Sequence, residues 1–421
     1  MKSTLLASAV ALSAALTSLA SVPQVSDVSF TQDPDTRRVT IGYRLSAPAI
    51  VTVDVQTNRG DGTFATIGTA GLRFVSGAVN KFVTNVNATV TIGWSPDLNW
   101  CHNGKIAAED VKAVVTAWAT NAPPDYMVFN LLDLDDVRYY VDEASFPVPI
   151  GDDKYKFDHL VMRKIHAAGV PWRMGAPSGW YSITQTDGVV HPHRVTLTED
   201  YYMGIYELTR YQSYLLTGVT GSSSGNRTPC NAQSYNAIRG GYSDEIDWPD
   251  TGHKVKTDSR IDKIRKALGI EVDLPTRAQW EFAARAGCPW PLYTGEDAGY
   301  AVTNLAWTKD NGGSAEQEVG QFPPNPWGLY DMIGGVQEWT LDYAQDWTTE
   351  AGQAALAESI DPKGPKTASD SNFNRCMLGG SWNTAYTSCH VYGITYEPAS
   401  DNWGNLGYRL CAPASAPLRT K

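Results

Sequence analysis

Apolar and polar residues alternate through the first third of the chain. Val25 to Ser29, Arg38 to Leu45 and Ile50 to Gln56 each follow a period of two, separated by the turn formers Asp33-Pro34-Asp35 and Ser46-Ala47-Pro48. A period of two turns one side of each segment toward a core, which predicts antiparallel strands. Lys81 to Trp94 and Val111 to Ala119 continue the alternation, and Asn121-Ala122-Pro123-Pro124 then breaks it. Val111 to Ala119 also fits a helix. From about residue 160 short strand-like runs mix with helices that are set by their caps. Thr209 with Gln212 forms a capping box closed by Gly218, and Thr276 with Gln279 forms a second closed by Gly287. Between them Ile261, Ile264, Ala267 and Leu268 recur at helical spacing before Gly269.

Composition adds scale and partners. The 421 residues suffice for two or three domains, and 42% hydrophobic against 19% charged residues, with 14 Trp and 21 Tyr, excludes a disordered chain. A formal net charge of −11 opposes docking on nucleic acid or anionic lipid. Lys2, the uncharged run from residue 4 to 20 and Ser18-Leu19-Ala20 read as a secretory signal peptide over 1–20, so the chain is expected to be secreted, periplasmic or displayed at a cell surface, with no membrane span after cleavage. Residues 23–122 then read as an immunoglobulin-like or fibronectin-like β-sandwich and 123–164 as a linker. The acids Asp133, Asp135, Asp136, Asp142 and Glu143 read as the solvated face of that connector. Six cysteines in an exported chain allow fifteen full pairings, and no C-x-x-C pair suggests zinc. His191 and His193 share one side of a strand, but no third ligand stands nearby, and they read as an exposed strand start.

Five stretches in order carry a resemblance. They are Trp172-Arg173-Met174-Gly175; Arg194-Val195-Thr196 leading to Tyr201-Tyr202-Met203 and Tyr206-Glu207-Leu208-Thr209; Leu274 to Phe282; Gly328 to Met332 with Glu338-Trp339-Thr340; and Gly379-Gly380-Ser381-Trp382 with Asn405 to Arg409. Residues 165–413 resemble the formylglycine-generating enzyme, or sulfatase-modifying factor, family. The resemblance implies an α+β domain related to C-type lectins, and with the all-β Ig-like sandwich read from the alternation, which lies outside the resemblance, the chain is expected to be multidomain.

What that family does follows from two thiolates holding copper(I), with which molecular oxygen converts a sulfatase cysteine to formylglycine. The first of the two cysteines falls on Thr384 here and the second on Cys389, with Ser381 beside them. A threonine hydroxyl is hard and protonated at neutral pH and cannot replace a thiolate toward copper(I), so the copper site is expected to be incomplete and oxidase activity on a sulfatase-type polypeptide is left as the alternative. The resemblance further implies calcium, at Asn304 and Leu305 and in a second loop through Gly334, Val336 and Glu338, where Gly335 replaces the family's asparagine. A glycan or protein ligand is expected on Trp382, Asn383, Tyr386, Tyr392, Asn402 and Trp403. Cys376 and Cys411 are candidates for a disulfide, and Cys389 reads as a buried, structural cysteine.

Overall fold

In the computed structural model residues 22–98, 100, 104–176, 192–219, 227–241, 254–295, 300–345, 354, 357, 359–368 and 371–415 are described. The expected signal peptide, His191 and Cys101 lie outside them.

The alternating segments form two antiparallel sheets. Strands β1 (Val25–Gln32), β2 (Val39–Leu45), β5 (Val75–Gly77) and β7 (Val90–Trp94) are ordered β1-β2-β7-β5. In the other sheet β3 (Ala49–Asn58) pairs with β4 (Phe64–Thr66) and β6 (Lys81–Val83), and with β8 (Val111–Trp118). The segment that also fitted a helix is therefore a strand, paired from Val111 to Trp118. Both sheets contribute to one core, with Val39, Ile41 and Trp94 facing Val51, Val55 and Val115. Their inner residues alternate with polar outer ones, the condition for stacking two sheets.

The stretch 123–164 is not a linker. It supplies β9 (Tyr126–Asn130), β10 (Val137–Tyr140), the single turn α1 (Lys154–Phe157) and β11 (His159–Ile165). These join β14 (Tyr201–Gly204) and β20 (Cys411–Pro413) in a five-stranded sheet ordered β10-β9-β11-β14-β20. Tyr126, Val128, Leu160, Met162 and Met203 are buried there. In the acidic run Asp133, Asp135 and Glu143 are exposed as a solvated face requires, and two of its acids also make contacts: Asp142 caps the turn Glu143–Ser145 and accepts from Thr69 Oγ1, while Glu143 accepts from the Tyr126 hydroxyl and pairs with Arg163.

Two smaller sheets complete the C-terminal part. One joins β12 (Pro171–Met174), β13 (His193–Thr196) and β16 (Ser359–Ile360); the other orders β15 (Gln337–Tyr343), β17 (Arg375–Leu378), β18 (Ile394–Glu397) and β19 (Leu406–Gly407) as β18-β17-β15-β19. Helices α2 (Arg210–Thr217) and α5 (Arg277–Arg285) begin with the two expected capping boxes, α3 (Tyr235–Ile238) is a single turn, and α4 (Arg260–Leu268) ends at left-handed Gly269. Helix α5 stops one residue earlier than expected, at Ala286, whose φ is 47°. Cys376 and Cys411 stand on β17 and β20, in different sheets, so the suggested disulfide does not form: both thiols are free and buried, directed to Tyr343 O and Gln279 Oε1. His193 is buried rather than exposed.

Candidate functional site

Strand β17 runs into Gly379-Gly380-Ser381, where φ angles of 89° and 75° at the glycines turn the chain sharply. A β-carbon on Gly380 would stand 2.5 Å from Cys389 Sγ, so only glycine lets that thiol pack under the turn. Cys389 is fully buried, its Sγ pointing at the carbonyls of Thr384 (3.7 Å) and Ser381 (4.0 Å). Burial is the largest influence on it, and the thiol is pushed up to about 12. The Thr384 hydroxyl is 2.9 Å from Ser381 Oγ, which also accepts from Asn383 N and Asn405 Nδ2. Asn405 in turn donates to Gln337 Oε1. The positions implied to hold copper therefore present one protonated thiol and a closed network of hydroxyls and amides. Copper(I) requires soft, deprotonated sulfur, and this donor set does not fit it.

The expected ligand residues divide by exposure. Asn383, Asn402 and Trp403 are exposed, Trp403 at 62%. Trp382 and Tyr386 are half-buried, and the indole N–H of Trp382 has no hydrogen-bond partner. Tyr392 does not belong with them: it is buried, packs 4.1 Å from the His390 ring and lies beneath the Arg285 guanidinium. The His390 ring and the Arg285 guanidinium hold it in the core.

Beneath this face Glu338 meets the Arg of the Gly-Tyr-Arg motif. Arg409 Nε donates to both carboxylate oxygens, Arg409 Nη2 to Oε1 at 2.6 Å, and Trp280 Nε1 to Oε2 at 2.7 Å. Arg409 Nη1 reaches Gly204 O and Nη2 Tyr330 O. Two further acids stand near this pair, Glu207 buried and Asp331 half-buried. Glu207 accepts from Val336 N and Asp331 from Gly320 N, and among the described residues neither forms an ion pair. Burial pushes both carboxyls up, Asp331 to about 6. Gly335 occupies the family's asparagine position for a local reason: with φ 61°, its β-carbon would stand 2.6 Å from Glu207 Oε1.

Glu207 and Asp331 lie inside the motifs that carry the resemblance, but their spacing assigns them no role. Their signal was an acid enclosed by large apolar neighbours, in Tyr206-Glu207-Leu208 and Tyr330-Asp331-Met332. Gly334, Val336 and Glu338 stand beside these acids, whereas Asn304 is exposed at the end of the turn Tyr300–Asn304 and Leu305 is half-buried. Among the described residues no helix is long and apolar enough to cross a membrane.

Residues 167–414 match the sulfatase-modifying factor enzyme 1-like domain. The chain is 31% identical over 159 residues to the formylglycine-generating enzyme of Bos taurus, covering 33% of this chain and 38% of that protein. It is 32% identical over 161 residues to the inactive C-alpha-formylglycine-generating enzyme 2 of Bos taurus, covering 34% and 45%. The match to the first spans about two fifths of that protein's length. Among solved structures, variable protein 1 of Treponema denticola aligns with a TM-score of 0.43 at 24% identity, covering 60% of this chain and 95% of that one.

Proposed function

The chain belongs to the sulfatase-modifying factor family, and from that premise we propose that it is an exported binding protein of the family, without the copper-dependent cysteine oxidation. One observation carries the reading: the Thr384 hydroxyl is hydrogen-bonded to Ser381, and the Cys389 thiol is sealed, protonated and turned toward backbone carbonyls. Oxidation needs a thiolate pair that opens to receive a substrate thiol, and neither member is available. That a relative is named an inactive formylglycine-generating enzyme agrees with such a loss.

The ligand face is the segment 381–405, where the exposed Trp403 and the half-buried Trp382 supply apolar area and the exposed Asn383 and Asn402 supply amides. That mixture suits the faces and hydroxyls of a glycan, or a polar protein surface. The resemblance also implies calcium at the Gly334–Glu338 loop. The side chains present do not fit such an ion: both Glu338 oxygens are taken by Arg409 and Trp280, and among the described residues no three His, Cys, Asp or Glu side chains come together to hold a metal.

The test is incubation of the mature, copper(I)-loaded protein in air with a sulfatase peptide of the form Cys-x-Pro-x-Arg, followed by mass spectrometry. No formylglycine is expected from the natural protein, and Thr384→Cys is expected to restore turnover by completing the thiolate pair. Formylglycine from the natural protein would instead show a working oxidase with Cys389 as its sole thiolate and a sulfatase-type polypeptide as substrate.

A further inference from the structure

The loop that contains Asn304 and Leu305 is closed by a side-chain amide. Asn311 Nδ2 donates to Thr303 O at 2.8 Å and to Ala306 O at 3.0 Å, and Asn311 Oδ1 accepts from Thr308 N (2.7 Å) and Thr308 Oγ1 (3.0 Å). Both amide protons and the amide oxygen are used, so the carboxamide is fully satisfied within its own loop. A calcium ion gathers six to eight oxygens, with carboxylates among them. Here the carbonyls are already gathered by N–H groups. The adjacent Asp310 carboxylate accepts instead from Tyr386 N, and the Asn304 side chain is exposed. Among the described residues no three His, Cys, Asp or Glu side chains come together to hold a metal.

We infer that the Asn311 carboxamide takes the place of the calcium ion the family resemblance implies at Asn304 and Leu305, so that this loop is metal-independent. The loop also supports the segment above it. Lys309 N donates to Thr384 O and Gly335 N to Trp307 O, and a β-carbon on Gly312 would lie 2.8 Å from Thr308 O and 3.4 Å from Trp382 Cβ. A neutral amide therefore fixes the floor beneath Trp382 and Thr384 whatever the calcium concentration. Replacing its NH2 by a carboxylate oxygen leaves two carbonyls facing an anion with no donor between them, an arrangement that a divalent cation satisfies.

The experiment compares the full chain with Asn311→Asp and Asn304→Ala, all prepared in calcium, by equilibrium dialysis and by thermal melts in calcium and in chelator. Asn311→Asp is expected to bind one calcium more than the natural protein and to melt about 5 °C higher in calcium than in chelator, beyond any shift of the natural protein. Asn304→Ala is expected to keep the natural stoichiometry. An Asn311→Asp chain that gains no calcium, or an Asn304→Ala chain that loses one, would overturn the inference. A natural protein that binds no calcium at all, with the gain in Asn311→Asp intact, sustains the inference while removing calcium from the Gly334–Glu338 loop.

Discussion

His390 follows Cys389 directly, yet its ring lies against Tyr392, is almost wholly buried and leaves Nδ1 without a hydrogen-bond partner. Burial, with Arg285 adding repulsion, lowers its pKa to about 4 from the 6.5 of a free imidazole. Between these values the unfolded chain binds the proton and the folded one does not, so this residue's contribution is complete above about pH 6.5 and is lost as the pH falls toward 4. The shift corresponds to roughly 3 kcal/mol. His390→Gln is therefore expected to lose less stability than the natural protein on acidification from pH 7 to 4. Urea titrations at intervals across that range measure the difference, and parallel curves for the two proteins would refute it. Asp342 works in the opposite direction: burial raises its carboxyl to about 6, so its contribution is present at low pH and is lost as the pH rises through that value.

At the scale of elements, the ion pair on β15 and the cap of α5 carry unequal energies. The Thr276 cap uses a hydroxyl at a helix start, and its loss costs about 1 kcal/mol. Glu338 and Arg409 are both fully buried, and removing one strands the other's charge, at about 3–5 kcal/mol. Arg409 also satisfies carbonyls at Gly204 and Tyr330, so it joins the end of β14 to the loop before β15. Arg409→Leu is thus expected to destabilise the fold several times more than Thr276→Ala. Denaturant unfolding of the two variants provides the comparison, and equal losses would mean that the guanidinium is not the tie between these elements.

For the whole molecule the boundary lies earlier than the family resemblance suggests. β11 pairs with both β9 and β14, so a fragment beginning at residue 165 lacks three of the five strands and uncovers the buried faces of Tyr201 and Met203. A fragment of residues 123–415 is expected to melt cooperatively and one of 165–415 is not, as followed by circular dichroism; equally sharp transitions would refute this boundary. The N-terminal sheets touch the same unit, since Arg73 donates to Ala144 O, Tyr139 N donates to Asn80 O, and Phe82 and Trp118 pack on the larger core. The sequence by itself determined the elements whose cause is local: alternating strands up to Trp94, helices fixed by the caps Thr209 and Thr276 and by the apolar spacing before Gly269, and the hydroxyl where a copper thiolate belongs. Those follow from spacing and side-chain chemistry within a few residues. Only the tertiary structure decided that 123–164 is sheet, that Cys376 and Cys411 stand apart, that Tyr392 is core, that Glu207 and Asp331 stand near Glu338, and that Asn311 closes its loop. Each of these depends on groups brought together from distant parts of the chain, and burial, charge balance and hydrogen-bond satisfaction take their values only once that enclosure exists.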